Sequence, residues 1–124
     1  MSNFPKVLKE GLVEIRKEAE EKLEQANLAD PEEFKKLLFW KAVIIVFEAT
    51  IKFSKRYAQE AKRLAAKEVI PFRKAELEKI AEVCERIPEK PARIFHEALQ
   101  SCWFIQLILQ IEKNGSSASI GRLD

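Results

Sequence analysis

Apolar residues recur along this chain every three to four positions, the period of a helix that turns one face to a core. Between about positions 4 and 26, Leu8, Leu12, Val13, Ile15, Ala19 and Leu23 form a narrow stripe among Glu and Lys, which predicts a helix lying on a surface. Asp30-Pro31-Glu32-Glu33 then supplies an N-cap, a proline at the first helical position and acidic residues that suit the positive end of a helix dipole. No breaker follows until about Val69, so the second helix is expected to be very long, roughly 57 Å at 1.5 Å per residue. Pro71 opens a third helix that runs through Arg86. Ile87-Pro88-Glu89-Lys90-Pro91 is a stiff connection whose second proline opens a fourth helix, ending near Lys113 before Asn114-Gly115. The expected class is all-α, with about four helices, one of them very long, ending in a loop.

The fourth helix differs from the others. From Phe95 to Ile111, Ala98, Leu99, Cys102, Trp103, Phe104, Ile105, Leu107, Ile108, Leu109 and Ile111 occupy most of its circumference, and a helix apolar all round is buried all round. Three companions, two of them strongly charged along one side, do not suffice to surround it. The isolated chain is therefore expected to expose apolar patches of the kind that mark an interface or a missing partner. Phe39, Trp40, Phe47, Trp103 and Phe104 fall at helical spacing and read as core. The longest apolar stretch, Ala42 to Val46 extended to Phe53, is interrupted by Glu48 and Lys52 and falls short of the roughly 20 residues a bilayer demands. It reads as a core helix, and no membrane partner is expected.

The length of 124 residues suits one domain. Its 22 basic and 20 acidic side chains are interspersed and leave a net charge of only +2, so no basic face is concentrated enough to displace phosphate counterions and nucleic acid is not an expected partner. Met1-Ser2-Asn3-Phe4-Pro5-Lys6 contains no apolar signal segment, and two cysteines make no disulfide framework. A cytoplasmic setting is the expectation. His96 beside Glu97 invites a metal reading, yet the Glu-x-x-His pattern of carboxylate-bridged metals would place a Glu where Arg93 stands. His96 reads as structural, and Cys84 and Cys102 as small buried hydrophobes. No catalytic, cofactor-binding or metal-binding residue is assigned in the chain.

The terminal loop departs from these structural readings. Gly115 accepts the left-handed conformation that ends a helix, and the small residues Ser116 to Ser119 let backbone approach a ligand closely. Arg122 fits two roles, an ion pair that holds the loop, with Asp124 as its local partner, or a contact to an anionic group.

The run Pro91-Ala-Arg-Ile-Phe95-His-Glu-Ala-Leu-Gln100-Ser-Cys-Trp-Phe104, followed by Asn114-Gly115 and Ser119-Ile120-Gly121-Arg122-Leu123-Asp124, resembles the glycyl radical enzymes. This is the pyruvate formate-lyase-like family, with glycerol and diol dehydratases, choline lyases and aryl-acetate decarboxylases among its members. The resemblance extends upstream through Phe39-Trp40, Arg56-Tyr57-Ala58, Leu64-Ala65-Ala66 and Arg73-Lys74-Ala75-Glu76-Leu77. It implies an internal slice, residues 1–124 of a pyruvate formate-lyase-type domain, whose parent is a larger α/β-barrel enzyme. It further implies that Ser119 faces the substrate, and that the parent carries a glycyl radical installed by a radical-SAM activase, with that activase, a homodimer mate and the rest of the polypeptide as partners. The family's radical Cys sits in a turn and its radical Gly in an Arg-Val-x-Gly-Tyr setting; neither context surrounds Cys84, Cys102, Gly11, Gly115 or Gly121. The chain by itself is expected to be inert. The competing expectation is a free-standing helical interaction module with the fourth helix as its docking surface.

Overall fold

The computed structural model describes residues 3–27 and 29–113, and these form four helices with no strand among the described residues. They are α1 (Phe4–Glu24), α2 (Pro31–Lys67), α3 (Pro71–Arg86) and α4 (Phe95–Glu112). The Asn114-Gly115 stop and the loop beyond it lie outside the described residues.

α2 is the spine. At 37 residues it spans about 56 Å, and it starts as its sequence dictates: Pro31 is at the first helical position, and the Asp30 carboxylate accepts the Glu32 amide at 3.0 Å. α1 lies against its first half and runs the opposite way, with Arg16 Nη1 3.9 Å from Glu48 and the Lys22 ammonium 4.7 Å over the Trp40 ring. α3 returns along its second half, where Lys62 pairs with Glu85 at 3.2 Å. The seam on α2 consists of Ser54, Ala58, Ala61 and Ala65, all buried, facing Leu77, Ala81 and Cys84 of α3. Small side chains at this spacing bring the two axes close. The hydroxyls of Thr50 and Ser54 stay satisfied by donating to the carbonyls of Val46 and Ile51, both at 2.8 Å.

The turn between α2 and α3 compensates for a poor cap. Ile70 precedes Pro71 and has no side-chain acceptor, but the Glu68 carboxylate accepts both the Val69 and Ile70 amides at 3.0 and 3.1 Å.

Two elements differ from the sequence expectation, for one physical reason. α1 is broken at Gly11, whose φ of 75° and ψ of 162° are non-helical, and α4 begins at Phe95 rather than at Pro91. The connection from Ile87 to Arg93, which includes a cis Ile87–Pro88 bond, crosses α1 at this break. Leu12 and Val13 donate their amides to the carbonyls of Pro88 and Glu89 at 2.9 Å each, and the Leu8 carbonyl accepts the Ala92 amide at 3.0 Å. Backbone groups engaged sideways in this way are unavailable for helical bonds in either element. Helical periodicity could not reveal a contact between segments so distant in sequence.

α4 is also less covered than a core helix. Phe104 is fully buried between α2 and α3, edge-on to Tyr57 at 5.6 Å and Phe53 at 6.4 Å. Phe95, Leu99 and Trp103, spaced four apart along α4, form an exposed edge. Phe39, Ile45 and Val46 are likewise exposed on α2, while Trp40 and Phe47 are half-buried. Of the five aromatics read as core, Phe104 alone is fully enclosed; α1 and α3 cover one side of the spine and leave the other open.

The seat of the connection on Gly11 yields a first prediction. A Cβ at this position would lie 2.5 Å from the Glu89 carbonyl oxygen and 2.6 Å from the Lys90 carbonyl carbon, and the backbone occupies a region essentially restricted to glycine. Gly11→Ala is expected to destabilise the fold by about 2 kcal/mol or more, read as a lowered urea midpoint, whereas Gly11→Ala with unchanged stability would show that the crossing is not formed.

Candidate functional site

Ser119 and Arg122, with Asp124, lie outside the described residues; the structure describes the helix that leads to them. α4 has Ile94 at its N-cap, which offers no side-chain acceptor. Glu97, in the first turn, takes over that duty. Its carboxylate, only 1% exposed, accepts the Arg93 amide at 2.8 Å and the Arg93 guanidinium at 2.6 Å, and Arg86 Nε stands 3.6 Å away. Arg86 in turn donates from Nη2 to the Pro91 carbonyl at 3.0 Å. One buried carboxylate thus joins the end of α3, the connection and the start of α4. The hydrogen bonds from Arg93 outweigh the cost of desolvation and hold the Glu97 carboxyl at a pKa of about 2, against an ordinary 4.5. Sequence reasoning weighed His96, which is exposed, and passed over Glu97. The signal was present as an Arg four residues before a Glu, the spacing of a helical ion pair, but the burial that gives it weight comes from α3 and the connection.

The cysteines are structural in their surroundings. Cys84 is buried inside α3 against Ala58 and Phe104, and burial pushes its thiol up to about 11, away from the thiolate that reactive cysteines require. Cys102 is half-buried within α4, and burial raises its thiol as well. Tyr57, Cys84, Gln100 and Trp103 line a shallow notch between α2, α3 and α4 together with Ile80. No group of three or more His, Cys, Asp or Glu side chains suited to a metal occurs among the described residues, nor is any described helix long and apolar enough to cross a membrane.

The pyruvate formate lyase-like family model matches residues 1–124, and the chain belongs to that family, the glycyl radical enzymes. The isethionate sulfite-lyase of Nitratidesulfovibrio vulgaris is 46% identical over 124 residues, covering 98% of this chain and 15% of that protein. Among solved structures, the glycerol-bound form of the B12-independent glycerol dehydratase from Clostridium butyricum superposes with a TM-score of 0.92 at 43% identity, over 98% of this chain and 16% of that one. A glycyl radical enzyme from Archaeoglobus fulgidus superposes at 0.90 with 34% identity, over 98% and 16%. The chain therefore spans about 15% of the length of the curated relatives it matches.

Among the described residues, Gly11 and Cys84 are both enclosed. Gly11 is pressed against the Glu89 and Lys90 backbone, which leaves no approach to its Cα from that side, and Cys84 points into the core.

The Glu97 cluster gives a second prediction. A carboxyl whose pKa is lowered on folding contributes stability that is fully present above its unfolded value and is lost as pH falls through its folded value. Urea midpoints should therefore fall between about pH 4.5 and about 2 in the unaltered chain. Glu97→Gln should cost about 1–3 kcal/mol at neutral pH, because two guanidinium groups lose their counter-charge, and should flatten that acid dependence. An unaltered acid profile in Glu97→Gln would remove the cluster from any role in stability.

Proposed function

We propose that this chain is a helical segment of a glycyl radical lyase or dehydratase, contributing one wall of its barrel domain and one substrate-side serine, and that it is inert by itself. The observation that carries the reading is agreement in fold and sequence over 98% of the chain with a glycerol-bound dehydratase six-fold or so longer than the match. The parent acts on a small organic substrate by radical cleavage of a C–C, C–O or C–N bond, in the cytoplasm, as a homodimer served by a radical-SAM activating enzyme. The exposed edges on α2 and α4 fit this reading as surfaces that further polypeptide covers.

Within the chain, Ser119 donates its hydroxyl to a substrate hydroxyl or carboxylate. Arg122 holds the loop through an ion pair with Asp124, for which the planar guanidinium is suited. The glycyl radical supplies hydrogen-atom abstraction when present; this segment supplies orientation and exclusion of water.

Two outcomes test the proposal. The 124-residue chain, incubated anaerobically with an activating enzyme and S-adenosylmethionine, should give no glycyl doublet in electron paramagnetic resonance, and a doublet arising from it would overturn the assignment of an inert segment. In a full-length enzyme carrying the segment, Ser119→Ala should lower kcat/KM by the loss of one hydrogen bond, about 1–3 kcal/mol or roughly 5- to 150-fold, with the radical still formed. Arg122→Ala should lower stability and activity together; a raised KM with unchanged unfolding would instead make Arg122 a substrate contact.

A further inference from the structure

We propose that Glu97 is a positioning residue that sets the bearing of α4, and through it the placement of the loop that follows; the second half of this statement rests on the assignment of Ser119 above. Three segments meet at this carboxylate, the end of α3, the connection and α4 itself, and the connection ties in α1. Arg86 brings the end of α3 to 3.6 Å, and its Nη2 holds the Pro91 carbonyl at 3.0 Å. The Arg93 amide and guanidinium close on Glu97 at 2.8 and 2.6 Å. The same connection is bonded to α1 through Leu12, Val13 and Leu8. The start of α4 is thereby referred to α1 and α3 at one point.

The rest of α4 has fewer fixings. Ser101 and Phe104 are its only other buried residues, both within two turns of Glu97, and nothing after Phe104 is fully buried among the described residues. From Glu97 to Glu112 the helix runs about 22 Å at 1.5 Å per residue. A small rotation at its anchored end becomes a displacement of ångströms at the other. A misplacement of about 1 Å is enough to cost on the order of a hundredfold in a site that depends on orientation.

Hydrogen exchange on the 124-residue chain tests the first half. In Glu97→Gln and in the milder Arg93→Ala, which spares the Arg86 contact, exchange of the amides from Ile105 to Lys113 should accelerate about tenfold more than that of α2 and α3, beyond the uniform acceleration that lowered global stability brings. Arg93→Lys should restore part of the protection. Uniformly faster exchange in all helices would reduce Glu97 to a general stabiliser, and unchanged exchange would remove it altogether; either result overturns the proposal.

Kinetics test the second half, in the full-length enzyme with glycerol, 1,2-propanediol and isethionate as the substrates tried. Glu97→Gln should lower kcat/KM about tenfold when Ser119 is present and less than about twofold in the S119A background, because two residues acting through one contact are not additive. Equal losses on both backgrounds overturn the route from Glu97 to Ser119. A silent Ser119→Ala overturns the serine assignment itself and leaves the exchange result to decide the role of Glu97 in α4.

Discussion

The contact on which the arrangement depends is backbone against backbone, where the connection after α3 crosses α1 at Gly11. Each of its hydrogen bonds replaces one that a continuous helix would have made: Leu12 and Val13 give their amides to Pro88 and Glu89, and Leu8 spends its carbonyl on Ala92. The exchange preserves the number of satisfied groups while tying together segments distant in sequence. It requires the absence of a side chain at position 11, because no carbon fits between Gly11 and the Glu89 carbonyl. Once the crossing is formed, Arg86, Pro91 and Arg93 are near enough to enclose Glu97, and α4 has a fixed beginning.

Local physics made much of this legible in the sequence. Asp30-Pro31 starts α2 where a cap followed by proline should, Pro71 starts α3, and the unbroken run between them is one helix. Ile70 lacks a capping oxygen, and the Glu68 carboxylate supplies the turn by another route. The family was legible too, since the Phe95–Phe104 run and the Gly121-Arg122 loop occur together and in order. What periodicity could not supply was anything decided by a distant partner. Gly11 lay unremarked inside a periodic stretch, Pro91 looked like a helix start, and Glu97 like a neighbour of His96; each owes its role to a segment from elsewhere in the chain. The aromatic residues misled for a related reason. Spacing says that Phe39 and Trp103 share a face with other apolar residues, but it does not say whether the chain itself holds the surface that covers that face.

The two halves of α2 serve different ends. Its second half meets α3 through alanine and serine, while its first half meets α1 through Arg16 and Glu48 and through Lys22 over Trp40. Exposed ion pairs of this kind contribute little each, about 0–1 kcal/mol.

The alanine seam of α2 also bears on the order in which the chain assembles. Alanine has no rotamers to lose, so docking α3 onto Ala58, Ala61 and Ala65 freezes almost no side-chain freedom. The turn that permits it, Glu68 to Ile70, is among the shortest in the chain. Closing a short loop onto a surface that has little entropy to surrender is the least costly long contact available. The crossing of α1 by the connection, by contrast, has to bring position 11 to position 88 across the whole of α2 and α3. Chain entropy thus favours a helical hairpin of α2 and α3 as the template on which both the crossing and the seat of α4 are later laid.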